Sequence, residues 1–231
     1  MRIHVYNQVK NVGEEFADYL NPLVTAVLSI DMHRGHLDPG PDCPCPAPRA
    51  RELVAPIDAF HDRARALGVR IIHVKSVLRP GGVDDINGIA SAWRRTFPLY
   101  VGAIPNADAH AIEGSRWTEL LTKVEPQDMH VAAKRRLSAF YPTDLDFLLR
   151  NQKIQTVVLD GGFTDCCILN TAFDAANRDY RVIVLKDLVR GTDEALEKAA
   201  LAMVSLHLGL VADASDLLSE WRTRSPTAAT D

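Results

Sequence analysis

Residues 161–180, GGFTDCCILNTAFDAANRDY, decide how this chain is read. They follow an apolar run, residues 156–159 (TVVL), with the composition of a buried strand. A glycine-rich turn then delivers Cys166 and Cys167 to the start of a helix. A thiol in that position meets exposed backbone N–H groups and the positive end of the helix macrodipole, which both favour the thiolate. The same N–H groups can hold an oxyanion formed when sulfur attacks a carbonyl. Strand, tight turn, nucleophile and helix form a nucleophile elbow with sulfur in place of oxygen. Gly161 and Gly162 permit backbone geometry that side chains resist, and Thr164-Asp165 offers a cap for the helix. Cysteine also serves as a small buried hydrophobe, so helix phase is used to choose between the thiols. Ile168, Ala172, Ala175 and Ala176 mark the buried side; Cys167 directly precedes them, and Cys166 lies about 100° away. Cys167 is the preferred nucleophile.

Outward from this stretch, strand and helix signals alternate. Strands are read at residues 25–31 (TAVLSID), 69–76 (VRIIHVKS), 129–133, 156–160, 181–188 (RVIVLKDL) and 208–212. Helices are read at 50–67, 144–151, 165–178, 193–208 and 215–221. Repeated units of this length predict an α/β fold: a three-layer, Rossmann-like, mainly parallel sheet with helices on both faces. Ligands of such sheets bind beyond the carboxyl ends of the strands. That rule gives Asp31, Lys134 and Cys167 one address, since each follows or ends a strand. Taken singly, Asp31 could be a turn residue and Lys134 one of three solvated bases in KRR; their convergence carries the argument.

A chain of 231 residues is long enough for one sizeable core, and a formal charge of −4 without a basic stripe argues against nucleic acid. No apolar run approaches the ~18 residues that span a bilayer. The start, MRIHVYNQVKNVGEEF, lacks the apolar centre of a signal peptide, and four cysteines do not make a disulfide framework. Free thiols suit a reducing cytoplasm, which is the expected location. Residues 1–24 are read as an N-terminal arm, with IHVYNQV as an edge strand and EEFADYL as a short helix, that packs on another subunit. Residues 25–222 form the domain proper. Residues 223–231, ending SPTAATD, are read as a disordered tail.

Three segments in order, VLSIDMH, KRRLSAFYPTDLDFLL and GGFTDCC, closely resemble the signatures of the isochorismatase-like cysteine hydrolases, which include N-carbamoylsarcosine amidase, nicotinamidase and biuret hydrolase. The similarity runs from about residue 25 to 221. The resemblance implies an Asp31–Lys134–Cys167 triad and an oxyanion hole from the backbone N–H groups of Phe163 and Cys167. It further implies a cis peptide at Gly162-Phe163, a homo-oligomer (dimer or tetramer), and no cofactor. The chemistry it implies is a cysteine amidohydrolase that cleaves a C–N bond of a small linear amide, N-carbamoyl or ureide substrate through a thioester. A thiol of ordinary pKa about 8.5 would be made anionic by Lys134 and the helix end. Alternatives are hydrolysis of isochorismate's vinyl ether, a catalytically silent binding protein, and a redox switch on the Cys166-Cys167 pair.

His33 stands where the family usually has Gln, two residues after the aspartate. The metal motif of the nicotinamidases, Asp-x-His with further histidines, is not read between Gly35 and Lys134, so no metal is expected. His33, His36, Cys43 and Cys45 are zinc-capable, but four prolines make their segment a stiff loop. The long segment 79–116 has little periodicity and is read as a lid or pocket wall. Trp93, Arg94 and Arg95 from it, with His33, Tyr141 and Phe163, are the expected substrate-binding residues, suited to a small planar polar substrate.

Overall fold

The computed structural model describes residues 1–224. In chain order its regular elements are β1 (Arg2–Val5), β2 (Gln8–Asn11), β3 (Thr25–Ile30), α1 (Arg34–Leu37), α2 (Val54–Ala66), β4 (Arg70–Ser76), α3 (Trp93–Val101), β5 (Met129–Lys134), α4 (Leu145–Asn151), β6 (Thr156–Gly162), α5 (Leu169–Ala176), β7 (Arg181–Arg190), α6 (Glu194–Met203), β8 (Gly209–Ala212) and α7 (Ala214–Arg224). Six strands form one sheet in the order β5-β4-β3-β6-β7-β8, and every neighbouring pair is parallel. The expected three-layer α/β architecture is the observed one.

The strand sequences explain why. β3 and β6 are buried at every position, and successive side chains of a strand point to opposite faces. Val27, Ile71, Val158 and Ile183 therefore join α2 and α7 in one core, around Phe60, Leu217 and Trp221. Leu28, Ile72, Val157 and Val182 join α4, α5 and α6 in the other, around Leu149, Ala172 and Leu201. A sheet covered on both faces needs apolar residues at consecutive positions rather than alternate ones, as these strands have.

The chain winds from β3 outward to β5, then returns to the other side of β3 for β6. The reversal leaves a crevice between the carboxyl ends of β3 and β6, where an open sheet of this kind takes its ligand.

Several expectations are corrected. The helix read at 50–67 begins as a 3-10 turn over Pro48–Leu53 before α2 starts. IHVYNQV is not one edge strand but the hairpin β1–β2, turned at Tyr6 with φ 52°. Packing of the arm on another subunit stays an expectation; within this chain β1 lies against β8, His4 Nε2 is 2.9 Å from Asp213 Oδ2, the N-terminal ammonium is 2.9 Å from Glu220, and Ile3, Val12 and Leu20 are buried in the first core. α7 runs through Thr223 and Arg224, so the boundary at residue 222 is too early; the remainder of the predicted tail lies outside the described residues. Among the described residues no helix is long and apolar enough to cross a membrane.

Candidate active site

Four neighbouring strands deliver one polar side chain each, or the turn that holds it, to the same edge: Lys134 ends β5, Ser76 ends β4, Asp31 follows β3, and Cys167 stands in the helical turn after β6. Asp31 has a left-handed backbone, φ 56°, an uncommon conformation that side-chain-bearing residues hold only where their surroundings impose it. After β6 the chain passes so close to β3 that a Cβ at Gly161 (φ 105°) would sit 2.2 Å from the Ile30 carbonyl oxygen. Glycine is required there. The Gly162-Phe163 peptide is cis.

The Lys134 ammonium spends all three of its hydrogens: on Asp31 Oδ2 at 2.6 Å, on Ser76 Oγ at 3.0 Å and on Cys167 Sγ at 3.3 Å. Asp31 Oδ1 accepts from the Ser76 N–H at 2.8 Å and from its hydroxyl at 3.0 Å. Asp31, Lys134 and Cys167, predicted apart in sequence, thus meet as one buried cluster. Ser76 was missed, although it ends a strand of the same edge.

Burial works to raise the Asp31 carboxyl, yet Lys134 holds it well below the usual carboxylate range. Burial works to lower the Lys134 ammonium, and Asp31 more than offsets it, so this lysine stays charged. One ammonium faces two groups able to carry negative charge, and the carboxylate takes it. The adjoining Cys166 sulfur and burial push the Cys167 thiol well up, against the pull of Lys134.

Cys166 and Ile168 both donate their N–H to the Phe163 carbonyl at 3.1 Å, so those two amides are used within the turn. The predicted side-chain cap is absent: Phe163 occupies the cap position, the buried Thr164 hydroxyl has no partner, and Asp165 instead accepts from Thr192 N at 2.7 Å.

A cavity of about 600 Å³ opens over the cluster, with Ser76, Lys134, Cys166 and Cys167 at its floor and Trp93, Thr96, Phe97 and Tyr100 from the segment 79–116 as one wall. Trp93 and Phe163 line it as expected. The other four substrate-binding candidates do not. His33 is fully buried behind the wall, its Nδ1 accepting from Gly35 N at 3.1 Å and its Nε2 3.7 Å from Asp31. Arg94 is turned to Asp85 at 3.1 Å. Arg95 is exposed and away from the cavity. Tyr141 is exposed beside a shallow surface depression bordered by Pro142. The basic residues that do line the cavity are Arg135 and Arg136, the pair after Lys134. Arg135 is engaged with Asp84 at 3.1 Å, and Arg136 with the Arg135 and Asp84 carbonyls at 2.7 Å each.

His36, Cys45 and His110 also line the cavity. His33, His36 and His110 offer ring nitrogens within 4.8 Å of one another. Contrary to the sequence reading, Asp-x-His does recur between Gly35 and Lys134, as Asp108-Ala109-His110 and Asp128-Met129-His130; Asp108, however, is 94% exposed and turned away, and Asp128 is held by Arg65 and His73. Cys43 donates to the Gly35 carbonyl at 3.4 Å and takes no part in the cluster.

Fold and site together define a doubly wound α/β protein with a buried carboxylate–ammonium–thiol cluster at its switch point. The chain belongs to the isochorismatase family, whose domain model matches residues 25–216. It is 28% identical over 206 residues to ureidoacrylate amidohydrolase from Methylobacterium radiotolerans, covering 84% of this chain and 78% of that protein. It is 27% identical over 165 residues to N-carbamoylsarcosine amidase from an Arthrobacter species, covering 71% and 58%. A cysteine hydrolase from Pseudomonas syringae pv. phaseolicola has the same fold, with TM-score 0.77, 24% identity, and 89% and 96% of the two chains covered.

Proposed function

We propose that this chain is a cysteine amidohydrolase acting on the C–N bond of a small linear amide, N-carbamoyl or ureide compound. The observation that carries the reading is the Lys134 ammonium held at once on the Asp31 carboxylate and the Cys167 sulfur. Similarity to amidohydrolases of ureidoacrylate and N-carbamoylsarcosine supports it.

Asp31 takes the thiol proton as sulfur attacks the carbonyl carbon. The backbone N–H groups of Phe163 and Cys167 receive the oxyanion; one such donor is worth about 3–4 kcal/mol of barrier. The C–N bond breaks, Asp31 returns its proton to the departing nitrogen, and the acyl group stays on sulfur as a thioester. Water then attacks that carbon, giving its proton to Asp31, and the acid leaves as the thiol is restored. Lys134 remains charged throughout, fixing Asp31 and stabilising sulfur as it loses its proton. All four cysteines are free, which suits the reducing cytoplasm we infer as the location. Exposed apolar Val83, Ile86, Ile89 and Leu99, all in the crossover between β4 and β5, support assembly into a homo-oligomer.

The test is ammonia release from a panel of ureides, N-carbamoyl amino acids, nicotinamide and maleamate. Cys167→Ala is expected to abolish turnover and Cys166→Ala to keep most of it, and intact-mass analysis should find the acyl group on Cys167. Full activity in Cys167→Ala would end the proposal.

A further inference from the structure

His33, His36 and His110 are buried beside the cluster yet take no part in the chemistry above. Their tautomers follow from their neighbours. His36 Nδ1 lies 2.8 Å from the Cys45 carbonyl oxygen, which can only accept; the hydrogen is on Nδ1 and Nε2 presents a lone pair. His110 Nε2 stands 3.3 Å from that lone pair. It therefore carries its hydrogen and donates, because the opposite assignment sets two lone pairs face to face. Gly35 N–H donates to His33 Nδ1, so His33 carries its hydrogen on Nε2. Burial keeps all three neutral, His33 down to about 3.

A metal does not fit this set. One nitrogen of His33 is protonated and the lone pair of the other is taken by Gly35, so His33 offers no ligand. Two histidines fall short of the three protein ligands of an open zinc site.

What the pair His36–His110 does offer the cavity is an acceptor and a donor side by side. A carbamoyl group is the complement: its N–H meets His36 Nε2 and its carbonyl takes the hydrogen of His110 Nε2, two bonds replacing one. A carboxylate brings only acceptors and meets the His36 lone pair. The flanking rings exclude water, with Trp93 edge-on to His110 at 5.1 Å and Phe163 edge-on to His36 at 5.3 Å, which strengthens polar discrimination. We propose that His36 and His110 bind a second, non-reacting carbamoyl group, so that the preferred substrate is a linear amide with a carbamoyl at each end rather than one ending in a carboxylate. The substrate assignment rests on the amidohydrolase reading; the binding preference does not.

Malonamide and its half-acid malonamate differ only in that end group. Calorimetry on the Cys167→Ala protein should show malonamide binding at least about ten-fold tighter. The preference should vanish when His110→Ala or His110→Phe is added, the second variant retaining a ring against Trp93. Equal or tighter binding of malonamate, no binding of either, or a preference that survives both His110 variants would each overturn the inference. So would one zinc per chain in the wild-type protein that is lost with His110→Ala. Preferential malonamide binding without ammonia release from the wild-type protein would sink the amidohydrolase reading alone. Ammonia release from both compounds without preferential binding would sink this inference alone.

Discussion

Two clusters of buried acids and bases belong to the same sheet. One is Asp31, Ser76, Lys134 and Cys167 at the carboxyl edge, under the cavity. The other lies mid-sheet beneath α2, where His73 and Asp160 flank Ser29 in register. There His61 Nε2 meets Asp160 Oδ2 at 2.8 Å, and Asp128 takes His73 at 3.1 Å and Arg65 at 2.7 Å. Both are buried and both contain short charged contacts. They differ in access and convergence. Ser76, Lys134 and Cys167 of the edge cluster line a space of about 600 Å³, and its lysine serves three partners at once. The inner cluster does not line that space, and among the described residues it leaves His61 Nδ1, His73 Nδ1 and Asp160 Oδ1 without partners. A buried ionisable group thus marks function here only where strand ends converge on open space.

The sharpest way to break this contrast is Lys134→Met. It removes the charge that compensates Asp31, and losing one partner of a buried pair costs about 3–5 kcal/mol. Turnover should fall by roughly 10²–10⁴-fold if that loss appears in the barrier, and the melting temperature should fall with it; unchanged kcat would refute the site. Ser76→Ala comes next. It removes the hydroxyl between Lys134 and Asp31, and a hydrogen bond to a charged group contributes about 1.5–3 kcal/mol. A kcat loss of roughly 10- to 100-fold with little change in KM is expected from steady-state kinetics. Asp160→Asn tests the inner cluster: urea unfolding should show a loss of about 1–3 kcal/mol while kcat stays within about two-fold. A large kcat loss without lost stability would mean that the two clusters are coupled.

The smallest effect is acid sensitivity. Burial works to raise the Asp128 carboxyl, but Arg65 and its other hydrogen bonds lower it to about 2. A carboxyl depressed on folding contributes stability that is present above its unfolded value near 4 and is lost as pH falls toward 2. Stability measured from pH 5 to pH 2 should therefore fall less steeply in Asp128→Asn than in the parent.

The sheet was legible because its strands are apolar at consecutive positions, and the triad because a parallel sheet sends all strand ends one way. The direction of the strand ends brings Asp31, Lys134 and Cys167 to one edge, where Lys134 contacts both of the others. The pattern fails where the chain lacks a period. Between β4 and β5 only Trp93, among the residues taken from that segment, reached the cavity. Arg94 and Arg95 looked equally suited, but side-chain direction on a nine-residue helix is set by partners such as Asp85 that sequence does not reveal. Tyr141 lies within a motif in sequence yet faces the surface rather than the cavity.

Asp31, Ser76, Lys134 and Cys167 hang from the ends of four adjacent strands, whereas Trp93, Phe97, Tyr100 and His110 all come from the single crossover between β4 and β5. Much of the cavity wall is therefore a piece of polypeptide separable from the strand ends that carry the cluster, while His36 and Phe163 reach the cavity from the strand-end side. Insertions or replacements confined to that crossover can redirect the protein to new molecules while the sheet, and the reaction it performs, stay as they are.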